Sequence, residues 1–82
     1  MQKVGQLKHI SLAQMKENRK GKVAEVLGGP GLQNKFMSMG IYKGREITKI
    51  SHFAMKGAVA IRVGRSVVAL GHGMAAKIML EA

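Results

Sequence analysis

Whatever chemistry this chain could perform would rest on three histidines, four serines and four glutamates, and their spacing offers little of it. His9, His52 and His72 lie in different segments, and none stands in a His-x-x-x-His arrangement that would put two imidazoles on one helical face. Cysteine is absent, which excludes both a disulfide framework and a thiolate metal site. Glu17, Glu25, Glu46 and Glu81 are too scattered to read as paired carboxylates for acid–base work. Ser11, Ser38, Ser51 and Ser66 have no neighbouring histidine–acid pair to activate a hydroxyl. The segment from Gly71 to Ala76 fits G-x-G-x-x-A after a strand, yet only six residues follow it, leaving no room for the second strand of a dinucleotide-binding unit. Gly28-Gly29-Pro30-Gly31 lacks the lysine and hydroxyl residue of a phosphate-binding loop and reads as a connection. His72-Gly73-Met74 could hold a soft metal, but a turn is the better reading. The inventory predicts no enzyme, with no catalytic residues, no metal ligands and no cofactor.

Charge is the stronger signal. Fourteen basic residues against four acidic ones give a net charge of +10, which makes nucleic acid, acidic lipid or an acidic protein surface a plausible partner. Lys16, Arg19, Lys20 and Lys22 crowd around Glu17, either as a phosphate-contacting loop or as a solvated turn. Asn18 and Gly21 tolerate positive φ and favour the turn. Lys49, Lys56, Arg62 and Arg65 could line a second basic face. Single-strand binding by a small barrel also needs stacking aromatics. Only Phe36, Tyr42 and Phe53 are available, and Phe36 reads as core.

The elements that position these residues are short. Leu32, Phe36 and Met39 recur at i, i+4 and i+7 and mark one face of a helix. Gly40 follows as its left-handed stop, Ile41 returns to the core, and Tyr42-Lys43-Gly44 reverses the chain before a strand from Arg45. Ser11 can cap a turn that places Leu12 and Met15 inside. Lys22–Leu27 reads as a strand whose imperfect alternation predicts a bulge. Val59, Ile61 and Val63 alternate on the cleanest strand, Ala58–Val63, which a two-residue turn at Gly64-Arg65 joins to Ser66–Leu70. Ser51–Gly57 reads as a loop holding His52 and Phe53. One helical turn within Gly71–Ala76 then leads to a closing strand at Lys77–Leu80. The sum is a mainly β domain of about five strands with one or two short helices, residues 1–9 being a loose leader with a short edge strand near Ile10, and 10–82 the domain. The longest uncharged stretch, Ser66–Ala76, is half the roughly 20 residues that a membrane-spanning helix needs, so a soluble protein is expected.

The ordered blocks Leu12-x-x-Met15-x-x-Asn18-x-x-Gly21-x-Val23, Lys35-Phe36-Met37-Ser38-Met39-Gly40-Ile41-Tyr42-Lys43-Gly44, Gly57–Val63 and Ala69-Leu70-Gly71 through Ile78 resemble the FeoA family. Asn18 stands where that family carries glycine, Lys35-Phe36 where it carries Arg-Leu, Met39 in place of Leu, and Ala58 where proline is common. The resemblance implies an SH3-like β-barrel of the bacterial cytosol that serves ferrous iron uptake by docking on the membrane G-protein transporter FeoB. It leaves open whether the chain binds ferrous iron itself, and it implies no small-molecule substrate. On this reading Lys35, Met37, Ser38, Tyr42 and Lys43 face the partner, with Gly40 and Gly44 as structural turns. The competing expectation is a basic barrel for single-stranded nucleic acid, or a stand-alone regulatory domain like the C-terminal domain of iron-dependent repressors.

Overall fold

The computed structural model describes residues 9–52 and 57–81. Six strands and two helices follow in the order β1 (His9–Ser11), β2 (Lys20–Val26), α1 (Pro30–Ser38), β3 (Glu46–His52), β4 (Val59–Val63), β5 (Ser66–Leu70), α2 (His72–Ala75) and β6 (Ile78–Glu81). The mainly β class expected from the sequence is what forms, with one strand more than the expected five. β1 at the sheet edge is the short strand expected near Ile10, and it begins at His9, opposite Glu81, so the last residue of the leader already joins the sheet. Residues 1–8 lie outside the described residues, as do Phe53 and Lys56.

All pairings are antiparallel, in the spatial order β1-β6-β2-β3-β4-β5. The register shifts between Val23 and Glu25 on β2, where the sequence predicts a bulge, and again between Lys49 and Ser51 on β3. Each shift adds local twist and bends the strand, and this lets one sheet wrap around its own inner face. The result is a single core. Val23, Ile47, Val59, Ile61, Val63, Leu70, Ile78 and Leu80 come from five different strands and join one buried cluster with Leu12, Phe36, Ile41 and Ala75.

Helix α1 shows how local chemistry sets an element. Pro30 occupies its first turn, where the missing N–H costs nothing, so Pro30-Gly31, read from the sequence as loop, opens the helix instead. The helix is tied down through Phe36, which is fully buried. It ends in a Schellman motif: Gly40 N–H donates to Met37 O at 2.9 Å and Ile41 N–H to Phe36 O at 2.9 Å, with Gly40 at φ +86°. Arg45 N–H then donates to Tyr42 O at 3.0 Å across a turn whose third residue, Gly44, has φ +92°, the backbone of a type II turn.

Ser51 and His52, expected in a loop, are the last two residues of β3. Among the described residues, no helix is long and apolar enough to cross a membrane.

Candidate functional site

The 3.6-residue repeat that buries Phe36 leaves Gln33 and Met37, four apart, on an exposed neighbouring face of α1. Gln33 Nε2 donates to Gly28 O at 3.0 Å and Val26 O at 3.4 Å, which pins the start of the helix to the end of β2. Beyond the helix, Gly44 N–H donates to Val23 O and Val23 N–H to Arg45 O, both at 2.8 Å. These bonds hold the Tyr42–Gly44 turn against the same strand. Helix, turn and strand thereby enclose an open groove of about 930 Å³. Ala24, Glu25 and Val26 form one wall, Gln33 and Met37 the other, and Ile41, Tyr42 and Lys43 close the end, with His9 at the margin.

Its surface suits binding. Met37 is 59% exposed and Tyr42 40%, and the two stand side by side in the groove, whereas the similarly exposed Leu27 and Val67 lie outside it. Tyr42 is held in place: Arg45 Nη1 donates to its hydroxyl at 3.0 Å, and the guanidinium carbon lies 5.7 Å from the ring centroid. Lys43 and Glu25 give the rim one charge of each sign. Among the described residues, no serine, threonine or cysteine lines this groove.

Of the residues assigned to the partner face by the sequence, Met37, Tyr42 and Lys43 meet in this groove, and Lys35 and Ser38 do not line it. Ser38 Oγ donates to Lys35 O at 2.7 Å within the helix, so its hydroxyl is turned back on its own backbone. Gln33, four residues before Met37, is the wall residue whose helical spacing in the sequence signals it. The β2 wall was not legible, because it depends on pairing across the fold.

The basic residues are distributed differently from expectation. Lys16, Arg19 and Lys20 surround a smaller concavity of about 220 Å³ floored by Ile10 and Met15. Asn18 adopts φ +64° there, and its N–H donates to Lys49 O at 2.7 Å. Arg62 and Arg65 are exposed. Lys49, expected on a basic face, is instead in the core at 1% exposure. Strand alternation puts it on the same inner face as Ile47, two residues earlier in unbroken register, and its ammonium reaches three main-chain carbonyls that would otherwise be orphaned. Burial pushes the Lys49 pKa below its ordinary value, with Glu17 pulling weakly the other way. Among the described residues, no three His, Cys, Asp or Glu side chains converge as a metal site.

The FeoA domain model matches residues 10–82. A crystal structure of the iron uptake regulatory protein FeoA superposes with a TM-score of 0.82 at 32% identity, covering 92% of this chain and 97% of that one. The FeoA-like protein of Clostridium acetobutylicum gives 0.82 at 27% identity over 94% and 90% of the two chains. A FeoA of Stenotrophomonas maltophilia complexed with zinc, described as an SH3-domain protein, gives 0.74 at 16% identity over 88% and 89%, and shares the fold. A manganese-dependent transcriptional repressor gives 0.84 at 20% identity, this chain spanning 44% of its length, and again shares the fold. No match is found among curated protein sequences. With the motif blocks, the SH3-like architecture and a family match over nearly the whole chain in agreement, this protein belongs to the FeoA family.

Proposed function

We propose that this protein is an accessory factor of ferrous iron uptake that works in the bacterial cytoplasm by docking on the cytosolic part of FeoB through the groove beside α1. The observation that carries this reading is the meeting of Met37, Ile41, Tyr42 and Lys43 in one preformed groove. Methionine adapts to an irregular partner surface, and a tyrosine already fixed by Arg45 loses little freedom on binding. Lys43, within a +10 chain, speeds encounter with an acidic surface, while Glu25 and Gln33 restrict which partner fits. No reaction occurs in the groove. Its action is to bias the transporter it docks on.

Titration calorimetry of the FeoB cytosolic part with the folded Met37→Glu/Tyr42→Ala variant tests this reading. Affinity should fall at least about tenfold, which is about 1.4 kcal/mol, with Lys35→Glu changing it far less. A folded double variant that binds as tightly as the parent would refute the groove.

The fold shared with a manganese-dependent repressor supports a second reading, a regulatory domain acting on another protein of metal homeostasis. That reading takes over if the chain shows no affinity for the FeoB cytosolic part at all.

A further inference from the structure

The end of β3 carries a chain of nitrogen atoms that the docking groove does not use. Lys49 Nζ donates to the carbonyls of Leu12 at 3.0 Å, Ala13 at 3.2 Å and Met15 at 2.6 Å, and lies 3.1 Å from Nδ1 of His52. An ammonium has donors only, so the imidazole nitrogen facing it must be the one with the lone pair. The ring proton of a neutral His52 is therefore on Nε2. Among the described residues that buried atom has no hydrogen-bond partner, and neither has Nδ1 of His72, the first residue of α2. The two rings lie 5.7 Å apart between centroids and are tilted by 30°, so they meet as neighbours without a shared hydrogen bond, and the polar contacts that place His52 are those to Lys49 and Glu17.

A proton added to His52 turns Nδ1 into a donor facing the Lys49 ammonium. That step sets like charges and like donors face to face. Glu17, from the turn between β1 and β2, is the other charged group here, its Oε2 accepting the His52 backbone N–H at 2.8 Å. The same residues make this a poor divalent-cation site, since Nδ1 already faces an ammonium.

We propose that Lys49 and His52 form an acid-released latch, which at neutral pH fastens the turns of residues 12–19 to the end of β3 and lets them go when the His52 imidazole takes up a proton. Desolvation, Lys49 and His72, in that order of size, all push the His52 pKa below its usual value of 6.5, and Glu17 opposes them. Release frees the tie from Glu17 to His52 and the carbonyl cradle of Leu12, Ala13 and Met15. The concavity ringed by Lys16, Arg19 and Lys20 is thereby reshaped in acid, while the groove beside α1, built from β2 and the Tyr42 turn, is untouched.

Two measurements on the full chain test the latch. Nitrogen-15 spectra of the histidine side chains should show His52 as the Nε2–H tautomer at neutral pH, titrating below 6.5. Amide-exchange protection at Met15, Asn18 and His52 should drop at least about tenfold between about pH 7.5 and about pH 5. His52→Gln offers Lys49 an acceptor but takes up no proton, so its protection should hold across the same range. An Nδ1–H tautomer, titration at or above 6.5, or equal acid loss of protection in parent and His52→Gln would each overturn the proposal. The tautomer and titration readouts need no variant, so they decide the matter even if His52→Gln folds poorly.

Discussion

A valine in place of Gly40 has two separate reasons to fail. The residue sits at φ +86°, where β-branched side chains are strained, and a Cβ there would lie 3.1 Å from Val63 Cγ1 in the core. Gly40→Val should therefore cost at least about 1–2 kcal/mol. Thermal unfolding should show this as a drop of about 4–8 °C per kcal/mol in a domain of this size. Lys49→Met probes the opposite corner of the barrel. It keeps the bulk of the side chain but strips the carbonyls of Leu12, Ala13 and Met15 of their donor. Leaving these acceptors buried and unpaired should cost at least about 2 kcal/mol by denaturant titration. An unchanged midpoint would mean that water replaces the ammonium. His52 adds a pH dependence of known sign. Its pKa is lower in the folded chain than in the unfolded one, so the folded state prefers the neutral ring. The corresponding stability is complete above the unfolded value of about 6.5 and is lost as pH falls through the folded value. The melting temperature should thus fall on acidification, and by less in His52→Gln.

At the scale of elements, α1 is anchored through one aromatic ring. Phe36→Ala removes a fully buried phenyl from the cluster shared with the strands and should cost about 3–5 kcal/mol, read by chemical denaturation. The ends of this helix also show what a sequence can and cannot reveal. Its stop was legible because a Schellman motif needs a local signal, glycine followed by an apolar residue, and Gly40-Ile41 supplies it. Its start was misread, since proline after two glycines suggests a loop until the helix it opens is known. The β4–β5 hairpin and the β2 bulge were readable for the same local reason, alternation interrupted by turn residues or by a break in period. The partners of Lys49 were not. Its inner face follows from alternation with Ile47, but the carbonyls that receive its ammonium lie more than thirty positions away in the chain. The pairing of His52 with His72 was hidden likewise, because the two are brought together only when α2 folds against the end of β3. Met37, Tyr42 and Lys43 reach the groove from α1 and the turn after it, a local stretch of sequence, whereas the facing wall of β2 is joined to them only by long-range hydrogen bonds.

At the scale of the whole molecule, charge and shape answer different questions. A net charge of +10 guarantees some attraction to any polyanion. With Phe36 in the core and Tyr42 bonded to Arg45, however, the described surface offers no row of aromatics for stacking bases. Single-stranded DNA and RNA should therefore bind weakly, and moderate salt should abolish the shift in a mobility assay. Tight binding that survived moderate salt would instead support a nucleic-acid role. The SH3-like barrel, shared with FeoA proteins and with repressors, is a rigid frame around one core, and its specificity lies in the side chains set on that frame. The most direct test of the docking account is to map backbone amide shifts of the labelled protein as the unlabelled FeoB cytosolic part is added. The account predicts that the largest shifts fall on Ala24–Val26, Gln33, Met37 and Ile41–Lys43. Shifts concentrated instead on β4, β5 or the Lys16–Lys20 turn, with the groove unchanged, would contradict it.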